Sequence, residues 1–442
     1  MVVINSHSIE FRDPAALKLR KRGWRKYPAC QIEEAKRQLE RTGMVVEPVL
    51  VDSEDHVVCG GAIVQAARQL GWTQVPVLLI ANMTPDELRL YAVNAHKLND
   101  LGAYDDVLLA EELRELDRLL REDIFKCLAI EEGELTRLLS LGAKEPGSEL
   151  ACNTNATQTV VNRPGDLWQV GRHRLLCASS LEHGSFAALM QGELAQFGLT
   201  DSPYNIPMAT ISSDPTREEF AYGHGEMSPN EFTRFLTTVM RLMKSASEPG
   251  AWQAFFMSYH FLLELLRAGT VVFGRPKAMC TWIKSQPGQG TPFRSQTEQV
   301  VYFRNGDAPP RDNVQLGKHG RNRSTAWHYD GMTTASSERA ELLKSRATPK
   351  AVDMLQDAIL DVTSHDGIVL DPFGGIGSTM VAAQAAERRG YLIEIEPRFV
   401  DVAIRRMQAA YGLTAIRQSD GRSFADLEAE AEAAATRDEV DG

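Results

Sequence analysis

Residues 369–379, V-L-D-P-F-G-G-I-G-S-T, prescribe a buried strand, a glycine-rich turn and a helix start, and the acids Glu394 and Glu396 follow about fifteen residues later. The apolar run ends at Asp371. Gly374, Gly375 and Gly377 then leave no Cβ in the way of a ligand approaching the backbone. Ser378 and Thr379 are expected to cap the next helix, whose first-turn amides favour a carboxylate or phosphate. Phe373 lies inside the turn, and Glu394 is expected at the end of the following strand, where an acid can accept both hydroxyls of a ribose. This is the layout of a nucleoside site on a parallel α/β sheet. The glycine spacing departs from the G-x-G-x-x-G dinucleotide fingerprint, which argues against a nicotinamide enzyme.

A second string lies 170 residues earlier, Asp201-Ser202-Pro203-Tyr204-Asn205, directly after the strand-like residues 195–199. An exocyclic base amine is a poor nucleophile because its lone pair is delocalised into the ring. A carboxylate and a backbone carbonyl, each accepting one amine hydrogen, pull that nitrogen toward tetrahedral geometry. Asp201 and the carbonyl of Ser202 suit those roles, Pro203 fixes the turn, and Tyr204 can stack on an extruded base. A D-x-P turn is common in itself; its weight here comes from the glycine turn downstream. A third string, Gly317-Lys318-His319-Gly320-Arg321-Asn322-Arg323, with Trp327 and Tyr329 behind it, joins basic residues to aromatics as phosphate and base contact requires.

The net charge of −11 argues against a nucleic-acid partner only until its distribution is read. Residues 275–350 carry 13 Lys/Arg against 6 Asp/Glu, whereas residues 424–442 carry 7 Asp/Glu against one Arg. The first stretch can follow phosphates, and the second reads as a solvated or frayed end. No apolar run is long enough to span a bilayer, and no signal-peptide pattern opens the chain, so a cytoplasmic location is expected. None of the six cysteines forms a C-x-x-C pair or has a histidine at zinc spacing, so reduced thiols and no metal are expected.

At 442 residues two or three domains are expected. Residues 1–100 read as a small α/β domain. Residues 101–142 read as a helical extension with an apolar stripe through Leu109, Leu113 and Leu116, and residues 143–162 as a linker rich in Gly, Ser, Asn and Thr. From residue 163 to about 415 strands and helices alternate, which implies a largely parallel sheet. Residues 304–338 read as a long loop, and residues 416–442 as an acidic tail.

Taken in order, these strings resemble the amino-methyltransferases of DNA, in the group where D-P-P-Y precedes the S-adenosylmethionine motif. The resemblance runs from about Asp166 to Tyr411. It takes in residues 201–204, Trp282 and Lys284, Phe293-Arg294-Ser295-Gln296, residues 316–323, Lys350, residues 371–379, Glu394, Pro397 and residues 399–406. It implies a Rossmann-like α/β fold and S-adenosylmethionine as donor, held by Asp371, Phe373, the glycines, Ser378, Thr379, Glu394 and Lys350. It also implies site-specific methylation of double-stranded DNA, of the restriction–modification kind, with contacts from Arg294, Lys318, Arg321 and Arg323. Asp at the head of the motif leans toward adenine, where Ser would lean toward cytosine. A homodimer is a candidate assembly.

Three positions depart from that pattern. D-P-P-Y reads D-S-P-Y at Ser202, which keeps the backbone carbonyl but loses rigidity. A family G-D-S reads Ala178-Ser179-Ser180, and H-P-T-x-K-P reads Arg346-Ala347-Thr348-Pro349-Lys350-Ala351. A competing reading is therefore a DNA-binding regulatory protein with weakened or lost catalysis, and the cytosine amine stays open as an alternative target. The first hundred residues resemble a ParB-like nuclease-type domain through Gly60, Ala66-Ala67, Leu70-Gly71 and Val75-Pro76-Val77. Its usual G-H-x-R reads Gly60-Gly61-Ala62-Ile63 here, so the expectation is a DNA-binding or scaffolding unit.

Overall fold

The computed structural model describes residues 9–19, 26–80, 83–100, 105–119, 160–207, 221–288, 292–316, 323–331 and 350–441, with positions 130, 134, 135 and 138 between them. Most of the expected linker lies outside these residues, as do Lys318, Arg321 and Arg346–Pro349. Two units divide the chain, Met1–Glu131 and Glu132–Gly442.

The first unit runs β1 (Ile9–Arg12), α1 (Ala29–Thr42), β2 (Val49–Val51), β3 (Val57–Cys59), α2 (Gly61–Gln69), β4 (Val75–Leu79), α3 (Pro85–Asp100) and α4 (Asp106–Leu119). Its sheet has the order β1-β4-β2-β3, with β2 parallel to β4. Alternation in V-L-V and V-P-V-L-L turns Val49, Val51, Val75 and Val77 into one core with Val64, Ala66 and Ala67 of α2. Thr84 and Glu87 close a capping box at the start of α3: the Glu87 carboxylate accepts from the Thr84 amide at 2.8 Å.

The second unit runs β5 (Leu167–Val170), β6 (His173–Cys177), α5 (His183–Met190), β7 (Ala195–Thr200), α6 (Pro229–Ser245), β8 (Ser247–Met257), α7 (Leu262–Phe273), β9 (Ala278–Lys284), β10 (Thr297–Arg304), β11 (Ala326–Tyr329), α8 (Val352–Val362), β12 (Ile368–Asp371), α9 (Ser378–Ala385), β13 (Arg389–Glu394), α10 (Pro397–Tyr411), β14 (Ala415–Arg417) and α11 (Phe424–Asp441). Its sheet has the order β11-β9-β10-β8-β7-β12-β13-β6-β5-β14 among the described residues. The centre, β8-β7-β12-β13-β6, is parallel. Such strands are covered on both faces, and neighbouring residues divide between them. Phe255, Leu370 and Ile393 pack under α5–α7 with Phe232 and Leu265. Phe256, Leu199 and Val369 pack under α8 and α9 with Leu355 and Ile359.

Strand order fixes where a ligand can sit. From β7 the chain crosses to β8 on one side, and from β12 to β13 on the other. The carboxyl ends of these adjacent strands, Thr200 and Asp371, thus flank the point where the order reverses, the usual crevice for ligands on an open α/β sheet.

Two expectations fail here. The stretch 304–338 is not all loop: β11 pairs in parallel with β9, because Trp327 is buried against Tyr302 at a ring distance of 6.1 Å. Nor is the acidic end merely solvated. β14 extends the sheet, and α11 begins with Phe424, fully buried edge-on to Trp168 at 5.5 Å. Among the acids that follow, Glu428 pairs with Arg405 of α10 at 2.6 Å, and Asp426, Glu430 and Glu432 are exposed. Phe424→Ala is expected to cost about 3–5 kcal/mol, read as a lower urea midpoint for the second unit; an unchanged midpoint would contradict the burial.

Candidate active site

Beyond β7 the chain turns through Asp201-Ser202-Pro203-Tyr204, and Asn205 takes a left-handed conformation with φ 55°. The Asn205 amide fixes that turn. Its Nδ2 donates to the Met227 carbonyl at 2.7 Å, and its Oδ1 accepts from the amides of Gly225 and Met227 at 3.2 Å. Sequence reasoning gave Asn205 no role, although its tolerance of positive φ is the available signal.

Asp201 Oδ2 lies 2.9 Å from Lys350 Nζ, which is also 3.0 Å from Glu298 Oε2 and donates to the Tyr204 hydroxyl at 3.1 Å. Tyr204 in turn donates to Glu298 at 2.9 Å, and Lys284 Nζ donates to the other Glu298 oxygen. The Lys350 ammonium sits 5.2–5.7 Å from the ring centres of Tyr204, Phe256 and Trp282, within cation–π reach. Two carboxylates and two ammonium groups balance, as buried charges must. Burial alone would lift the Glu298 carboxyl, but Lys350 and Lys284 hold it down at about 2. Lys350, disfavoured by burial, is held charged by Asp201 and Glu298. Burial raises the Asp201 carboxyl above its ordinary range, with Lys350 opposing the rise and Glu298 adding to it. Asp201 is the most open of the four, with 27% of its side chain exposed against 9% for Lys350.

Lys350 was expected among the groups that hold the cofactor. Its contacts here are instead with Asp201, Glu298 and Tyr204. Glu298 was missed altogether. The available signal was an acid two residues before the buried run V-V-Y-F of T-E-Q-V-V-Y-F-R, which needs a cation opposite it.

The glycine turn lies beyond β12. Asp371 accepts from the Phe373 amide at 3.1 Å and from the Thr379 hydroxyl at 2.6 Å. Glu394, at the end of β13, reaches back to accept from the amides of Gly375 at 2.7 Å and Glu396 at 2.8 Å. Gly377 is held at φ 79°, and a Cβ there would lie 2.9 Å from the Ala403 Cβ; a Cβ on Gly375 would meet nothing within 4 Å. The first glycine is therefore needed for packing, whereas the second leaves open space in front of the backbone. The capping expectation is corrected: Gly377 itself starts α9 with no side-chain cap, because the Thr379 hydroxyl is spent on Asp371. Ser378 is buried, 3.4 Å from the guanidinium of Arg406, which also donates to the Ile376 carbonyl. The Phe373 ring packs on Phe235 at 5.9 Å.

Burial pushes the Glu394 carboxyl up to about 7 and that of Asp371 up to about 6, against the hydrogen bonds each accepts. A carboxyl raised in the fold favours folding fully at low pH and loses that advantage as pH climbs toward its folded value. Glu394→Gln is thus expected to stabilise the ligand-free protein at pH 8 by on the order of 1–3 kcal/mol, with the gain shrinking toward pH 5. Urea unfolding at both pH values measures it, and an equal effect at both would contradict the assignment.

The candidate DNA contacts divide. Arg294 is exposed and donates to the carbonyls of Gly288 and Pro287 in the β9–β10 loop. Arg323 does not fit its expected role. It is bonded to Asp361 at 2.7 Å and to Asp357 and the Tyr329 hydroxyl, over the ring of Trp327, so its charge serves the protein. Among the described residues no group of three or more His, Cys, Asp or Glu side chains could hold a metal, and no helix is long and apolar enough to cross a membrane.

Residues 195–405 match the family described as DNA methylase, covering both N6 and N4 enzymes. The type II methyltransferase M.Cfr9I of Citrobacter freundii is 28% identical over 139 residues, 31% of this chain and 43% of that protein. The chain thus spans less than half the length of that relative. The crystal structure of the M1.HpyAVI–SAM complex aligns over 53% of this chain and 98% of its own, with 18% identity and a TM-score of 0.40. A C-terminally truncated ParB of Caulobacter crescentus aligns over 30% of this chain and 77% of its own, with 14% identity and a TM-score of 0.26.

Proposed function

We propose that this chain, whose residues 195–405 belong to the DNA methylase family, transfers a methyl group from S-adenosylmethionine to the exocyclic amine of adenine in double-stranded DNA. The observation that carries the reading is the meeting of two motifs at one crevice: an aspartate already paired with an ammonium group after β7, and a glycine cradle backed by Glu394 after β12.

The cradle suits the proposed donor. Gly375 leaves open space, the first amides of α9 are uncapped by any side chain, and Glu394 offers carboxylate oxygens where ribose hydroxyls would lie. The donor, when bound, supplies a methyl group made electrophilic by its sulfonium charge. The chain does the rest by positioning. Asp201 Oδ2 and the Ser202 carbonyl accept the two amine hydrogens and expose the nitrogen lone pair. The Tyr204 ring offers a stacking face. Aspartate at the head of the motif supports adenine.

One observation favours a second reading, a DNA-binding protein without turnover. Ala178 and Ser179 follow β6 beside Glu394, where the family carries a carboxylate. Sequencing modified bases in cells that express the chain separates the two. Methylated adenine at a recurring site supports the enzyme; unmodified DNA from cells with abundant folded protein supports the second reading.

A further inference from the structure

We propose that Lys350 is the positioning residue that keeps Asp201 an ionised acceptor, by completing a charge-balanced quartet with Glu298 and Lys284. This rests on the amine-methylation reading of Asp201. The geometry is specific. One ammonium group bridges both carboxylates, at 2.9 and 3.0 Å, and bonds the Tyr204 hydroxyl at 3.1 Å. Among the described residues, the charged and titratable groups set against Asp201 are Lys350 before α8, Glu298 on β10 with Lys284 of β9 behind it, Tyr204, and Asp371 at the end of β12.

The consequence follows from charge. Without Lys350, Asp201 would face Glu298 and Asp371 in a low-dielectric crevice with no cation of its own, while Glu298 would still have Lys284. Of the two carboxylates, Asp201 is the one left to take up a proton. A protonated Asp201 presents one acceptor oxygen less and a donor hydrogen aimed toward the amine. The base would then be bound but not activated. The aromatic rings around Nζ strengthen the arrangement, because they favour a cation at that point and no other.

The test uses the full chain with Lys350→Met, Lys350→Arg, and Lys350→Met combined with Glu298→Gln. Single-turnover methyl transfer by Lys350→Met is expected to fall about tenfold or more at pH 7 and to recover as pH rises, since one unit of pKa shift is a factor of about ten. Lys350→Arg is expected to restore most of the rate, and removing the Glu298 charge is expected to recover part of the loss. Affinity for S-adenosylmethionine is expected to stay within about twofold, because Lys350 touches no residue of the glycine turn. A rate lowered equally at every pH, a double variant no faster than Lys350→Met, or a parallel loss of cofactor affinity would each overturn the proposal. A readout without turnover stands beside these. Infrared difference spectra at neutral pH should show one protonated-carboxyl band in Lys350→Met beyond the contribution that Glu394 makes in wild type, and Asp201→Asn in the same background should remove it. Absence of that band overturns the inference even if the chain methylates DNA. Its presence in a chain that never methylates upholds the quartet and sinks the activity reading instead.

Discussion

Asp201→Ala is expected to lower methyl transfer by about 10²–10⁴-fold while leaving affinity for S-adenosylmethionine nearly unchanged. The carboxylate is asked to act only where the amine nitrogen becomes tetrahedral, so its loss falls on the chemical step. The residues proposed to hold the cofactor lie on other strands, Asp371 closing β12 and Glu394 closing β13, and their hydrogen bonds do not pass through Asp201. Alanine also leaves Lys350 with Glu298 as its remaining carboxylate, a change in local charge but not in the fold of β7. Single-turnover kinetics with calorimetry on the same preparations separates the two effects. A rate within threefold of wild type, or a matching loss of cofactor affinity, would contradict the assignment.

The second large effect is expected at Glu394. Its two oxygens fix the amides of Gly375 and Glu396, and we propose that they also accept the ribose hydroxyls of the cofactor. Glu394→Ala removes charge-assisted bonds worth about 1.5–3 kcal/mol each, so cofactor affinity is expected to fall at least tenfold to a hundredfold. Because burial places this carboxyl at about 7, wild-type affinity is also expected to weaken as pH drops from 8 to 6. The carboxylate is the better acceptor, and its proton must leave. Calorimetry across that range reads both effects. Unchanged affinity in the variant would place the ribose elsewhere.

Much of this was legible in the sequence because the residues involved obey local rules. The apolar strands, Gly377 in its left-handed turn and Glu394 at a strand end are each marked by their immediate neighbours in the chain. What was hidden depends on pairing across the sheet. Glu298 is 94 residues from Tyr204 along the chain, and only the order β10-β8-β7 brings it there. Lys350 reads as a cofactor residue by its place before α8, yet its ammonium group turns to Asp201. Arg323 sits in a basic string, but Asp357 and Asp361, one helical turn apart on α8, claim it. Phe424 is surrounded by acids in sequence and by Trp168 and its core in space. In each case partners distant in the sequence decide what the local pattern leaves open.

The most direct test of the central claim supplies the purified chain with methyl-labelled S-adenosylmethionine and unmethylated double-stranded DNA, digests the product to nucleosides and identifies the labelled one. Label is expected in N6-methyladenine, absent with Asp201→Ala. Label on a ring carbon, or none with a chain that binds both cofactor and DNA, would contradict it.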